Sequence, residues 1–154
     1  MSITVRSATL ADLSTLREFE QGIVTAERPF DSTLKPDPIN YHDLEALIAS
    51  ADAEVAVAEI DNTLIGSGFA NKKASRPYPT PAFHAHLGFM YVVPEFRGRG
   101  VNQLVLQHLL DWARRRGLLE IRLTVYPENA SAVRAYEKAG FQSHLIEMRR
   151  QLDA

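Results

Sequence analysis

The sequence predicts an α/β or α+β fold in which helices cover a mixed sheet. Two observations lead to this class. Short β-type runs alternate with segments whose apolar residues recur at helical spacing. Two of these runs also adjoin across an Asp61-Asn62 turn, which is typical of a β-hairpin. The length of 154 residues fits one domain spanning residues 1–154.

Each element is predicted from its own pattern. Residues 2–7 alternate apolar and polar side chains, and Thr9 can cap the amphipathic helix that follows. Three prolines at every second position make residues 71–82 a predicted loop. The predicted elements, in order, are strand 2–7, helix 10–23, a helix capped by Asn40, strands 54–60 and 64–70, strand 83–93, a long helix from Val101 to Arg116, strand 121–125, helix 130–139 and a last strand or hairpin in 141–152.

Composition narrows the classes of function. The chain has no cysteine, which excludes disulfides, thiolate metal ligands and a cysteine nucleophile. Its 17 basic and 19 acidic residues give a net charge of −2, so no long-range attraction to nucleic acid or anionic membranes is expected. The sequence has no run of about 18 apolar residues, which is the length that would predict a membrane span. The N-terminal residues do not resemble a signal peptide, and we expect a cytoplasmic protein. No spacing of histidines or carboxylates suggests a metal.

A glycine-rich turn precedes the long helix. Residues 97–100 read Arg-Gly-Arg-Gly. The first N–H groups of a helix have no intrahelical partner and bind anions, provided that side chains do not block the approach. This turn lacks the Lys-Ser/Thr of a Walker loop, and Gln103 stands where a dinucleotide fingerprint needs its third glycine, although Glu120 lies at the spacing of a ribose-binding acid. A phosphate site therefore remains an open prediction beside an ordinary solvated loop.

Two longer motifs carry a family resemblance. Residues 90–102, MYVVPEFRGRGVN, resemble motif A of the GNAT acetyltransferase superfamily, with Asn102 departing from the usual small residue. Residues 126–141, YPENASAVRAYEKAGF, are similar to motif B of that superfamily. The resemblance implies a mixed, mostly antiparallel sheet with a central splay, flanked by about four helices. It also implies an N-acetyltransferase.

The resemblance further implies an acetyl-CoA site where strands 85–93 and 120–126 splay apart. Strand residues Tyr91 and Val92 would offer backbone groups to the pantetheine arm and the thioester. Asn129 would bond near the same arm and could also cap its helix. The diphosphate would be cradled by Arg97, Gly98, Arg99, Gly100, Val101 and Asn102.

Three residues are candidates for catalysis. By the resemblance, Tyr136 would protonate the departing thiolate, although it could simply pack on its helix. His86 could accept a proton through water, since an ordinary histidine pKa is about 6.5. Glu27 would border the acceptor site. Further candidates beside these sites are Glu20, Arg28, Tyr126 and Glu128.

Other functions stay open. The expected acceptor is a small amine or a peptide amine, and acidic residues within 20–31 would suit a cationic one. A non-catalytic CoA-binding sensor or interaction module is the main alternative. Nucleic-acid binding through the arginines is weakly supported, because Arg114–Arg116 end a helix, where cations are favoured anyway. Neither a membrane nor a metal partner is expected, and a homodimer is possible.

Overall fold

The structure is a computed structural model that describes residues 2–77 and 81–154. Its internal contacts divide the chain into one unit up to Thr124 and a second unit over Val125–Ala154. Within the described residues, the first unit contains a five-stranded sheet and three α-helices, and the second contains one α-helix.

The sheet is mixed and mostly antiparallel, as the sequence predicts. Its strands are β1 (Thr4–Ser7), β2 (Ala53–Ile60), β3 (Thr63–Ala74), β4 (Phe83–Val92) and β5 (Ile121–Arg122). They lie side by side in sequence order. Each of the first three strands pairs antiparallel with the next, whereas β4 and β5 run parallel.

The helices of the first unit cover both faces of this sheet. The four α-helices described in the chain are α1 (Leu13–Glu27), α2 (Leu44–Ala49), α3 (Val101–Arg115) and, in the second unit, α4 (Ala130–Lys138). On one face, α1 and α2 pack in a core with Val57 and Phe69. On the other face α3 approaches closely, because a Cβ placed on Gly68 would lie 2.9 Å from Val105 Cγ1. The sheet therefore separates two cores.

Most predicted elements of the first unit are confirmed, with shifted boundaries. Asp61 and Asn62 both have positive φ, as the hairpin turn requires. The prediction that Asn40 caps α2 is wrong: the carboxylate of Asp43 accepts the N–H of Ala46 at 3.0 Å, and the helix begins after it. The first helix also continues to Glu27 instead of ending at residue 23.

The predicted loop at 71–82 is shorter than expected. Strand β3 continues to Ala74, which pairs with Phe83 at the start of β4. Backbone pairing between two long strands therefore overrides the loop composition up to that point. Residues 78–80, which belong to the same prediction, lie outside the described residues.

The predicted C-terminal strand or hairpin in 141–152 is wrong. Those residues have no regular secondary structure, and β5 covers two residues instead of five. A strand exists only as part of a ladder, and no described strand forms a ladder with this segment. Four of its large apolar side chains are consequently exposed: Leu145, Ile146, Met148 and Leu152.

Candidate functional site

Strand β4 has an open edge, which begins where its pairing with β5 ends. The parallel ladder joins Ala85 to Ile121 and His86 to Arg122, and it stops there. On the opposite edge the N–H of Val93 donates to Ile65 O in β3 at 2.9 Å. Because backbone groups alternate in direction along a strand, the N–H and C=O of Val92 point toward the open edge. The family resemblance implies a splay at this place in the sheet.

A β-bulge interrupts β4 within this open stretch. Ser67 pairs with Tyr91 and Phe69 pairs with Gly88, so two residues of β4 stand opposite one residue of β3. The bulged residue Phe89 has a φ of 59°, in the left-handed region. For a large aromatic side chain this backbone conformation is uncommon.

The bulge reverses the alternation of side chains. A Cβ on Gly88 would lie 2.7 Å from Phe69 Cζ, and Phe89 is buried in the same core. The sulfur of Met90 lies on the other face, 2.5 Å from the position of a Cβ on Gly68. Met90 and His86 therefore lie on opposite faces of the sheet, whereas strict alternation along an unbulged strand would place them on the same face.

A buried serine anchors the bulge. Ser67 is fully buried, and its hydroxyl donates to the carbonyl oxygen of Phe89 at 3.1 Å. In a trans peptide the C=O and N–H point in opposite directions. The N–H of Met90 therefore points away from β3, toward the open edge. No motif in the sequence singled out Ser67.

The start of α3 forms an open cradle of backbone donors. Gly98 and Gly100 have φ values of 77° and 79°, and a Cβ on either would meet nothing within 4 Å. The first intrahelical bond runs from Leu104 N–H to Gly100 O at 3.2 Å. The N–H groups of Val101 and Asn102 thus have no partner inside the helix. These residues fit a diphosphate.

The two arginines of the turn have different surroundings. Arg97 Nε donates to Val92 O at 3.0 Å, which ties the turn to the end of β4. Its guanidinium also lies 5.7 Å from the centre of the Tyr91 ring. Arg99 lies 5.2 Å from the centre of the Phe96 ring. Both arginines are exposed, so both bring positive charge to the mouth of the cradle.

His86 lies where β4 loses its parallel partner. It pairs with Asn71 of β3, and His84 pairs with Lys73 two residues along. Burial, followed by the charges of Lys73, His84 and His42, lowers the pKa of His86 below its ordinary value. His86 is therefore neutral at pH 7 and can accept a proton. Asn71, which the sequence did not indicate, has a buried Oδ1 without a partner in the described part of the chain.

His42 lies on the same face of the sheet as His86, although no sequence motif marks it. Its ring centre lies 5.2 Å from that of Phe69 and 5.5 Å from that of Phe89, both in edge-on geometry. Burial and the charge of Lys73 lower its pKa. His42 also borders a pocket of about 330 Å³, whose full lining is Arg17, Glu20, Asn40, His42, Asp43, Leu44 and Glu45.

The predicted residues of α1 and of the segment after it differ in their surroundings. Glu20 is 1% exposed and accepts the backbone N–H of His42 at 3.0 Å, so it holds the loop before α2. Arg28 binds the side chain of Asp37 at 2.6 Å. Glu27 is half-buried, and burial, together with the charge of Asp31, raises its pKa.

The motif B residues lie in the second unit. The Oδ1 of Asn129 accepts the N–H of Ala132 at 3.4 Å, so Asn129 caps α4 as predicted. The ring of Tyr136, on the same helix, lies edge-on to Phe141 at 5.8 Å between centres. Tyr126 and Glu128 stand in the segment before this helix.

Two features are absent from the described residues. No cluster of three histidine or carboxylate side chains there could hold a metal ion. No helix there is both long and apolar enough to cross a bilayer.

Comparison with known proteins points to one family. The sequence profile of the "Acetyltransferase (GNAT) family" matches residues 19–141. The N-alpha-acetyltransferase RimI of Mycobacterium tuberculosis is 29% identical over 140 residues, which is 91% of this chain and 78% of that protein. The [ribosomal protein bS18]-alanine N-acetyltransferase of Salmonella typhimurium is 38% identical over 55 residues, 36% of this chain. The chain thus spans only 37% of the length of that relative.

Solved structures share the fold. A predicted acetyltransferase from Clostridium acetobutylicum, determined with acetyl-CoA, superposes with a TM-score of 0.76 at 21% identity, covering 96% of each chain. The BH1408 protein of Bacillus halodurans, as a tetramutant, gives a TM-score of 0.84 at 17% identity, covering 97% of this chain and 99% of that one.

Proposed function

Because the chain belongs to the acetyltransferase (GNAT) family, we propose that it is an N-acetyltransferase that moves an acetyl group from acetyl-CoA to a primary amine. One observation carries this proposal. The open edge of β4 ends at Val92, and the cradle at Gly98 and Gly100 follows directly, with Arg97 joining the two. An extended arm with a diphosphate at one end fits such an arrangement.

Acetyl-CoA would lie along this edge as a substrate. The N–H groups of Met90 and Val92 are the available donors there, and the pantetheine amides would pair with strand backbone in the manner of an added strand. The N–H of Tyr91 faces β3, because Tyr91 pairs with Ser67 on the hydrogen-bonding side of the ladder. Tyr91 therefore contributes its ring, which packs on Phe19 at 5.0 Å between centres.

The diphosphate would bind at the start of α3. The N–H groups of Val101 and Asn102 point out of the helix, and the helix dipole favours an anion there. Glycine at 98 and 100 leaves room for the phosphate oxygens. The exposed guanidinium of Arg99 adds charge that attracts the diphosphate.

The amine must be neutral before it can attack. We assign proton removal, through water, to His86, whose lowered pKa keeps it neutral at pH 7. A histidine of this kind deprotonates an α-amine, with an ordinary pKa near 8, more readily than a lysine amine near 10.4. Together with the named activities of the relatives, this favours a peptide α-amine as the acceptor.

The chemical step forms one bond and breaks one. The amine nitrogen bonds to the acetyl carbonyl carbon, and the oxyanion that develops is stabilised by backbone N–H groups of β4. The C–S bond then breaks, the nitrogen releases its extra proton to solvent, and the CoA thiolate takes up a proton from a donor that solvent reprotonates. We assign that proton to the Tyr136 hydroxyl, as the motif B resemblance implies.

Thiol release from acetyl-CoA tests the function. The acceptor panel should contain an alanine-terminated peptide, the same peptide with a blocked N-terminus and an internal lysine, spermidine and an aminoglycoside. We expect acetyl-CoA consumption that depends on acceptor, with the α-amine peptide preferred. Saturable CoA binding without turnover of any acceptor would favour the non-catalytic module instead. If spermidine were the preferred acceptor, the proposed acceptor would be a polycation and not a peptide α-amine.

A further inference from the structure

We propose that Ser67 is a positioning residue that sets the oxyanion-stabilising N–H of Met90. This inference rests on the proposed acetyl transfer and adds a residue on β3 that contacts neither substrate. The hydroxyl of Ser67 acts through the Phe89–Met90 peptide group, to which it is bonded at 3.1 Å.

The geometry gives this single hydrogen bond a directional role. Phe89 has a φ of 59°, a conformation that a phenylalanine adopts only when its surroundings impose it. The carbonyl oxygen of Phe89 has left the regular ladder, because the register shifts between Ser67 and Phe69. The Ser67 hydroxyl supplies the partner that this carbonyl would otherwise lack.

The Phe89 carbonyl and the Met90 N–H belong to one planar peptide group, so holding the carbonyl also orients the N–H on the opposite side. The Phe89 C=O points to Ser67, so the Met90 N–H of the same planar peptide points to the open edge of β4. At this edge the ladder with β5 has already ended at His86. The donor is thus directed at the place where the thioester carbonyl would lie.

The packing around Ser67 favours a role in orientation over one in filling space. Ser67 is fully buried, and a buried hydroxyl needs a hydrogen-bond partner. An alanine at this position would fill nearly the same volume and would have no polar group to satisfy. The hydroxyl of Ser67 therefore serves to orient the Phe89–Met90 peptide group.

Two variants of β3 separate this role from simple stability. Ser67→Ala removes the hydroxyl. Ile65→Val, two residues away and equally buried, removes one methyl group without touching the bulge. Thermal melting of both establishes that each is folded. We expect kcat with the best acceptor to fall about tenfold or more in Ser67→Ala, and to stay within twofold of wild type in Ile65→Val.

Binding and spectroscopy make the test specific. CoA has no acetyl carbonyl, so its dissociation constant should change less than twofold in Ser67→Ala. With acetyl-CoA labelled by ¹³C at the carbonyl, the downfield shift of the bound signal should shrink in Ser67→Ala and persist in Ile65→Val. Ser67→Cys, with a weaker donor of similar shape, should lie between serine and alanine.

The outcomes distinguish two failures. If wild type transfers acetyl groups while Ser67→Ala matches Ile65→Val in kcat and in carbonyl shift, the positioning role is wrong and the proposed function stands. If wild type neither binds CoA nor consumes acetyl-CoA, the proposed function fails and this role falls with it.

Discussion

The carboxylate of Glu20, in the middle of α1, accepts the backbone N–H of His42 at 3.0 Å. This bond joins the helix to the loop before α2, and it places the His42 ring against Phe69 and Phe89. A carboxylate that is 1% exposed is therefore used to shape the face beside the β4 bulge.

Replacing this carboxylate should loosen the loop. We expect Glu20→Gln to lower the free energy of unfolding by about 1–3 kcal/mol, because a neutral amide oxygen accepts backbone N–H groups less strongly than a carboxylate does. We also expect the KM for the acceptor to rise. Urea denaturation and steady-state kinetics measure the two effects. Glu18→Gln, on the exposed side of the same helix, is the control and should leave both near wild type.

The pH dependence of activity should follow His86. Burial and the neighbouring cations lower its pKa below 6.5, so the neutral base is present at higher pH and is lost as the pH falls through that lowered value. We expect kcat/KM to decline only below pH 6.5. His86→Gln should reduce kcat by about 10²-fold and remove this acid limb.

Lys73 provides a second check on the same base. Its charge disfavours protonation of His86, so Lys73→Met should raise the pKa of His86 and move the acid limb to higher pH. His144→Gln, an exposed histidine of the second unit, should leave the profile as it is. If the acid limb of the pH profile stayed in place when His86 is replaced, another residue would be the base.

The free energy of unfolding should depend on pH through the protonation of Asp12. Arg6 holds its carboxylate by two bonds, at 2.9 and 3.0 Å, and with the N–H of Thr9 this lowers the pKa of Asp12. A carboxylate whose pKa is lowered in the folded state stabilises the fold at pH values above its unfolded pKa, which is near 3.9. This stabilisation is lost as the pH falls through the lower pKa of the folded state. We expect Asp12→Asn to cost about 2 kcal/mol at pH 7, and progressively less toward pH 2.

Denaturation curves measured from pH 7 to pH 2 would check this. Asp153→Asn, at an exposed position, should show no comparable difference. An equal loss in Asp12→Asn at every pH would mean that packing, not charge, explains the effect.

Tyr136→Phe tests the proton donor. The ring can still pack on Phe141, whereas the hydroxyl is gone. We expect kcat to fall about 10²-fold with little change in CoA affinity, since a general acid contributes about 10²–10⁴. Tyr41→Phe, an exposed tyrosine in the first unit, is the matched control. An unchanged kcat in Tyr136→Phe would leave the thiolate to be protonated by another group.

Patterns along the chain predicted the elements that depend on local chemistry. The first four strands, the hairpin turn at Asp61-Asn62 and the glycine-rich start of α3 all follow from residue type and spacing. The strict alternation expected for β4 failed at Phe89, because a bulge depends on how two strands register and not on the sequence of one of them.

The missed site residues have the same explanation. His42, Ser67 and Asn71 belong to no motif, and each acquires its place only when α1, β3 and β4 pack together. A hydroxyl or an amide on a strand is unremarkable until its partner across the sheet is known. The C-terminal strand failed similarly, since the apolar alternation there finds no ladder in the described structure.

The central claim is that the start of α3 holds the diphosphate of acetyl-CoA. Gly100 and Gly117 provide a matched pair, with φ values of 79° and 71° and open space around both. Alanine at either position carries similar backbone strain, about 1–2 kcal/mol, but only Gly100 borders the cradle. Calorimetric titration with CoA should show at least tenfold weaker binding for Gly100→Ala and wild-type binding for Gly117→Ala. Equal affinity in the two variants would contradict the account.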